Sequence, residues 1–310
     1  MSGGGACGPL PCFRTNTYYY NMNTIRLIYP QWQGGDIARW IPEVEDPARA
    51  ARGYYYGARV LDLLVPARQG EKVLTVPVAT ASGERRATDG VLDRDAIAAQ
   101  TRAALGLLRE ARPDRIVTLG GECSVSAVPF TFLAGRYDGD LAVVWIDAHP
   151  DITLPGDPYA GYHAMAVTAL MGLGDAAVVG QLPARIAPER IFMVGLRDWE
   201  REEIRRRQEE YGIAYLTPED FREDGGALRR WLENCGASRV AVHLDLDVLD
   251  PAEIVAAVGV VPGGLRMDEA VRVVAEAAGA KELVALTVAE HMPRTALRLQ
   301  AMLEQLPLLR

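Results

Sequence analysis

The sequence predicts an α/β fold built on one parallel sheet. Three observations carry this. Eight short runs rich in Val, Ile and Leu show no polar alternation, as in Val143-Val144-Trp145-Ile146. Such runs suit strands covered on both faces. Amphipathic segments of helical period separate the runs along the whole chain, and that strand–helix alternation is the pattern of a parallel sheet. With 310 residues, 49% of them hydrophobic and 24% charged, the chain can bury a large core without a disulfide or structural metal.

Residues 1–21 stand apart, with early glycines, two prolines and no strand or helix period. They read as an extension or an arm, with Met22 a plausible natural start and Tyr18, Tyr19 and Tyr20 available to cover a neighbouring subunit. From Thr24 on, strands are expected at 25–29, 72–76, 115–119, 141–146, 190–194, 213–215, 239–244 and 283–288. Helices are expected at 47–64, 93–111, 124–135, 161–172, 199–211, 226–235, 267–278 and 294–308. Asp93 is placed to cap the helix that Pro113 closes, and Ser124 to cap the helix after strand 115–119. No linker, repeat or low-complexity block interrupts residues 22–310, so these are expected to form a single domain.

The net charge of −8 rules out a broad phosphate-neutralising surface, so no nucleic-acid partner is expected. No apolar run reaches about 18 residues, so no membrane span is expected either. The cysteines at 7, 12, 123 and 235 form no CxxC pair or zinc-knuckle spacing, and no secretory signal is visible. A reducing, cytoplasmic setting is the default expectation.

In a parallel α/β sheet, function collects beyond the carboxyl ends of the strands. Strand 115–119 leads into Gly120-Gly121-Glu122-Cys123-Ser124. Alone, Cys123 reads most simply as a buried thiol at a tight turn. Strand 141–146 leads into Asp147-Ala148-His149-Pro150-Asp151. Three polar groups spaced by two share one side of an extended chain, and burying them is costly unless a cation or hydrogen bonds satisfy them. Strand 239–244 leads into Asp245-Leu246-Asp247-Val248-Leu249-Asp250-Pro251. Asp245 and Asp247 again share a side, whereas Asp250 before proline reads as turn chemistry. Strand 283–288 leads into Ala289-Glu290-His291, where a carboxylate facing the same crevice and a surface turn are equally good readings. Together these groups suit a two-metal hydrolytic centre.

With these motifs the chain resembles the arginase–agmatinase family of ureohydrolases. The matching segments are GGEC at 120–123, DAHPD at 147–151, His163 in GYH, GLRD at 195–198, HLDLDVLDP at 243–251, PGG at 262–264 and AEHMP at 289–293. The resemblance implies a three-layer α/β/α sandwich with a central parallel sheet of about eight strands. It implies hydrolysis of a guanidino carbon–nitrogen bond in a small molecule, with urea released and a hydroxide bridging two divalent metal ions as the nucleophile. Asp147 and Asp245 would contact both ions, His149 and Asp247 would complete one site, and Asp151 and Cys123 the other. His163 would transfer protons and Glu290 would face the substrate guanidinium. A homo-oligomer, trimeric or hexameric, is also implied.

Two departures matter. The family's first motif ends in His, as in GGDH, where this chain has Cys123. A thiolate is softer than imidazole, so the expected metal, manganese, gives ground to zinc, iron or cobalt at that position. The residues at the family's arginine-binding Asn positions are Thr153 and Gly161, so plain arginine is not a safe substrate. Trp199, Glu200 and Glu203 stand where the family contacts the substrate's far end, and two carboxylates there would favour a cationic tail. Alternative readings are a formimino, amidine or hydroxyguanidino hydrolase with a retuned metal site, or a non-catalytic protein of the same fold.

Overall fold

The computed structural model describes residues 22–81 and 84–309; the arm read at 1–21 lies outside them. The strands are β1 (Thr24–Tyr29), β2 (Lys72–Thr75), the short hairpin β3 (Ala87–Thr88) and β4 (Val91–Leu92), β5 (Arg115–Gly120), β6 (Ala142–Ile146), β7 (Ile191–Val194), β8 (Ala214–Leu216), β9 (Arg239–Asp245) and β10 (Glu282–Ala289). All but the hairpin join one parallel sheet of eight strands in the order β2-β1-β5-β10-β9-β6-β7-β8. The sheet strands are the eight apolar runs read from the sequence, with bounds shifted by a residue.

Helices cover both faces. They are α1 (Pro47–Ala51), α2 (Gly53–Leu64), α3 (Arg94–Ala111), α4 (Ala127–Arg136), α5 (Ala166–Leu170), α6 (Ala176–Val179), α7 (Glu202–Tyr211), α8 (Pro218–Glu223), α9 (Ala227–Asn234), α10 (Met267–Ala280) and α11 (Arg294–Leu303). The double covering follows from strand geometry, since successive side chains leave opposite faces. Val143 and Trp145 of β6 pack with Ile97, Leu105, Phe130 and Ile204 on one side. Val144 and Ile146 pack with Leu228, Leu232 and Val273 on the other. A third apolar cluster, with Trp32, Ile37, Tyr54 and Leu297, sits beside the end of the sheet where the polar motifs emerge.

Local signals failed where a tertiary partner took the residue. Asp93 does not cap α3: its φ is 51° and it makes no cap bond, its carboxylate being held by Arg85 Nε at 2.7 Å. Ser124 does not cap α4 either. It sits inside a 3-10 turn, Cys123–Ser126, which is capped by the Glu122 carboxylate accepting from Ser124 N at 2.8 Å. The segment 47–64 is two helices that break at Arg52, whose ψ of 7° is not helical.

Candidate metal centre and substrate cavity

Four strand ends deliver the polar motifs to one place. After β5 the chain passes tightly beneath the loop that follows β1. A Cβ at Gly121 would fall 1.8 Å from the Gln31 carbonyl oxygen, so only glycine lets the turn approach this closely. The turn buries Cys123 completely and aims its Sγ at Asp245 Oδ2, 2.9 Å away. After β6 the chain bends sharply instead of staying extended. Asp147 Oδ1 accepts the His149 N–H at 2.7 Å, and Trp145 Nε1 donates to Asp147 Oδ2 at 2.9 Å. Asp151 adopts a left-handed φ of 49°.

After β9 a 3-10 turn over Leu246–Val248 is capped by Asp245 Oδ1, which accepts from Asp247 N at 2.7 Å. His149 Nδ1 reaches Asp247 Oδ2 at 2.9 Å. Asp250 is turn chemistry, accepting from Ala252 N at 2.8 Å. After β10, Glu290 takes a φ of 67° while its N–H bonds Gly121 O at 2.8 Å. Its Oε1 accepts from Cys123 N at 3.0 Å and lies 3.4 Å from His163 Nδ1. His163 Nε2 is 2.7 Å from Tyr159 Oη, so both ring nitrogens are anchored.

Two donor groups result. Cys123, Asp147, His243 and Asp245 bring one ligand atom each within 4.8 Å of one another, and so do Asp147, His149 and Asp247. Asp147 belongs to both, the arrangement a carboxylate bridging two cations would need. Asp151 is in neither group. It stands close enough to raise the Cys123 thiol electrostatically, and its buried Oδ2 has no hydrogen-bond partner.

The electrostatics are those of a site short of positive charge. Burial, then the charge on Asp247, raises Asp147 from 3.8 to about 7. Burial and neighbouring carboxylates push Asp151 and Asp245 well above the usual range. The Cys123 thiol is pushed up by burial and then by Asp245, Asp151, Glu290 and Asp147. Asp247 alone is held low. Burial opposes this, but the His149 imidazole outweighs it. His149 and His163 are raised in turn, because nearby acids overcome burial. Bound divalent cations would invert this logic, favouring carboxylate and thiolate forms. The donor set, the bridging position of Asp147 and the orphaned Asp151 oxygen all fit such cations.

The Arginase family profile matches residues 73–302, most of the chain and every one of these motifs. The chain belongs to the arginase family. An arginase of Entamoeba histolytica is 27% identical over 187 residues, covering 58% of this chain and 62% of its own length. The arginase of Saccharomyces cerevisiae is 29% identical over 196 residues, covering 58% of each. The chain therefore spans about three fifths of the length of these curated relatives. The fold extends further. The Entamoeba histolytica arginase structure in complex with L-ornithine superposes with a TM-score of 0.71 at 18% identity, covering 90% of this chain and 96% of that one. Proclavaminate amidino hydrolase from Streptomyces clavuligerus gives 0.58 at 20% identity, covering 91% and 90%.

In this arginase-family chain a cavity of about 730 Å³ opens over the centre. His149, Asp151, Asp245, Asp247, His163 and Glu290 lie along it. Thr153 and Glu200 also line it, but the Thr153 hydroxyl is spent on Ala164 O at 2.8 Å. Glu203 does not line the cavity. Helix α7 starts at Glu202 and buries Ile204 and Gln208, which leaves Glu203 facing solvent. Three features of the site were not among the candidate site residues read from the sequence. Tyr54 of α2 and the strand-free segment 258–261 come from regions without a motif. A Cβ at Gly259 would fall 2.7 Å from Asp247 Oδ2, so that segment lies directly against the centre. His243 is the third, and it was legible in principle. It precedes Asp245 by two residues and so shares its face of β9, but it lies within the strand rather than in the loop beyond its carboxyl end. Among the described residues, no helix is long and apolar enough to cross a membrane.

Proposed function

We propose that residues 22–310 form a metal-dependent amidinohydrolase domain that cleaves a guanidino or related amidine C–N bond in a small molecule, releasing urea or an analogue. The observation that supports this most is Asp147, shared by two donor groups beside a cavity that Glu290 and His163 face. Asp147 and Asp245 would hold both cations, His149 and Asp247 one, Cys123 and Asp151 the other. Divalent cations supply Lewis acidity and lower the pKa of a water molecule, turning it into a nucleophile at neutral pH. Manganese suits the oxygen-rich pair with His149; zinc, iron or cobalt suits the thiol side better.

The chain's own groups orient the substrate and move the proton. Glu290 offers a carboxylate to a planar guanidinium, a pairing that can form two parallel hydrogen bonds. The Cys123 N–H at 3.0 Å from Oε1 fixes that carboxylate's position. His163, raised by Tyr159 and Glu290 against the effect of burial, is a proton donor for the departing amine nitrogen. Buried Tyr54 helps close the cavity wall beside Glu290. The same reading carries a homo-oligomer, trimeric or hexameric, in the cytoplasm.

Elemental analysis of the purified chain, followed by a urea-release screen across guanidino compounds with manganese, zinc, iron or cobalt added, tests it. Metal-dependent urea release that a chelator abolishes is the expected result. A metal-loaded chain that releases neither urea nor ammonia from guanidino, amidine or formimino compounds would leave the non-catalytic alternative.

A further inference from the structure

One buried imidazole has no part in that chemistry. His243 lies on β9 in register with Trp145 on β6 and with Thr287 on β10. It is completely buried. Its ring stacks on the Trp145 indole, with centroids 3.7 Å apart and planes 12° from parallel. Nδ1 sits 2.8 Å from Ser126 Oγ, whereas Nε2 has no hydrogen-bond partner. A ring nitrogen lies within 4.8 Å of one ligand atom each from Cys123, Asp147 and Asp245. An imidazole buried with an unpaired nitrogen is costly unless something meets it, and a cluster of acids and a thiol lies within reach of the ring.

We propose that His243, rather than Asp151, is the remaining ligand of the deeper cation beside Cys123, so that this position is held by Cys123, His243, Asp147 and Asp245. The inference rests on the metal-binding reading and specifies it. The first motif lacks an imidazole because it ends in Cys123, and β9 supplies one from a different strand. Sulfur, nitrogen and two carboxylate oxygens make a four-donor set suited to zinc or cobalt. Asp147, His149 and Asp247 offer a harder set that suits manganese. The two positions therefore differ in preference, and the chain is built for two unlike metals. Ser126 is a positioning residue, since its hydroxyl on one ring nitrogen fixes how the ring faces the site.

Wild type, His243→Phe and Ser126→Ala, each loaded with cobalt(II), test this by metal content per chain and by optical spectra. His243→Phe keeps a flat ring to stack on Trp145. Wild type should bind two cobalt ions and show a thiolate-to-cobalt charge-transfer band. His243→Phe should lose one ion and most of that band, while its circular dichroism stays native. Ser126→Ala should keep both ions with affinity at the deeper position about 10-fold weaker. Unchanged stoichiometry, affinity and spectrum in folded His243→Phe would overturn the assignment and leave His243 as a buried hydrogen-bonding residue. Should that variant fail to fold, imidazole nitrogen spectra of wild type decide. The chain has 4 histidines, and saturating zinc should move two ring signals to metal-bound positions; one alone would refute the proposal. A wild type that binds no cation at all would instead sink the metal reading itself.

Discussion

The two ends of the sheet treat acidic residues in opposite ways. At the amino end, where the strands begin, three acids are paired with arginines. Asp140 Oδ2 pairs with Arg239 Nη1 at 2.7 Å, Glu282 with Arg115 at 3.0 Å and with Arg239 at 3.3 Å, and Asp114 with Arg136. Although partial burial opposes it, Ser238 and Arg239 hold Asp140 below the usual carboxylate range. Asn23 and Arg136 do the same for Asp114. At the carboxyl end, Asp147, Asp151 and Asp245 are buried and raised, with no arginine paired to them among the described ion pairs. One end balances these acids from within the sequence. The other holds buried acids without arginine partners among the described ion pairs, and that contrast marks the candidate site more firmly than any single motif.

The contrast can be broken at its strong end first. Asp245→Ala should abolish both hydrolysis and most metal binding, since a donor is lost and the remaining acids stay unpaired. Retained metal in elemental analysis, with an unchanged rate, would remove Asp245 from the centre. His163→Ala should leave metal content near that of wild type and lower turnover by roughly 10²–10⁴, the usual worth of a general acid. An unaltered rate on any accepted substrate would take His163 out of the proton transfer.

Stability against pH separates the two kinds of carboxylate. With metal chelated, Asp147 is raised in the folded chain from 3.8 to about 7. Its contribution is therefore full below pH 4 and is lost as pH rises through 7. Glu269, held by Arg222 and lowered from 4.5 to about 2, behaves in reverse: its contribution is present above 4.5 and is lost as pH falls toward 2. Metal at 100 times its dissociation constant should add about 2.7 kcal/mol and remove the loss between pH 4 and 7. Thermal melts with and without chelator read both slopes, and a chelated protein with no decline over that interval would contradict the picture. The smallest effect belongs to the amino end. Asp140→Asn should cost about 0.2–1 kcal/mol and leave metal content untouched, as denaturant titration and elemental analysis would show.

The sequence was informative where burial was uniform. The central strands were legible because both faces of Ala142–Ile146 and its neighbours are covered, whereas the edge strands β2 and β8 are largely exposed. The acids of DAHPD and DLD were legible because carboxylates beside buried apolar residues need a reason to be there. The features that were not legible depend on partners distant in sequence. Asp93 reads as a cap until Arg85 claims it, Tyr54 belongs to an ordinary amphipathic helix, and Glu203 needed only a three-residue shift in the helix start to leave the cavity. His243 stood at the head of the HLDLDVLDP segment but was given no role, because it lies within the strand rather than in the loop beyond it.

Trp145 carries a consequence of its own. Its indole N–H is bonded to Asp147 Oδ2 and its face is covered by His243, so the fluorophore touches two residues of the candidate centre. Cation entry would redraw the field across that ring, and a paramagnetic ion such as cobalt would quench its emission at short range. Trp145 would then act as a built-in optical gauge of occupancy. A single-tryptophan variant retaining only Trp145 would let metal arrival be followed in real time, without substrate and without turnover.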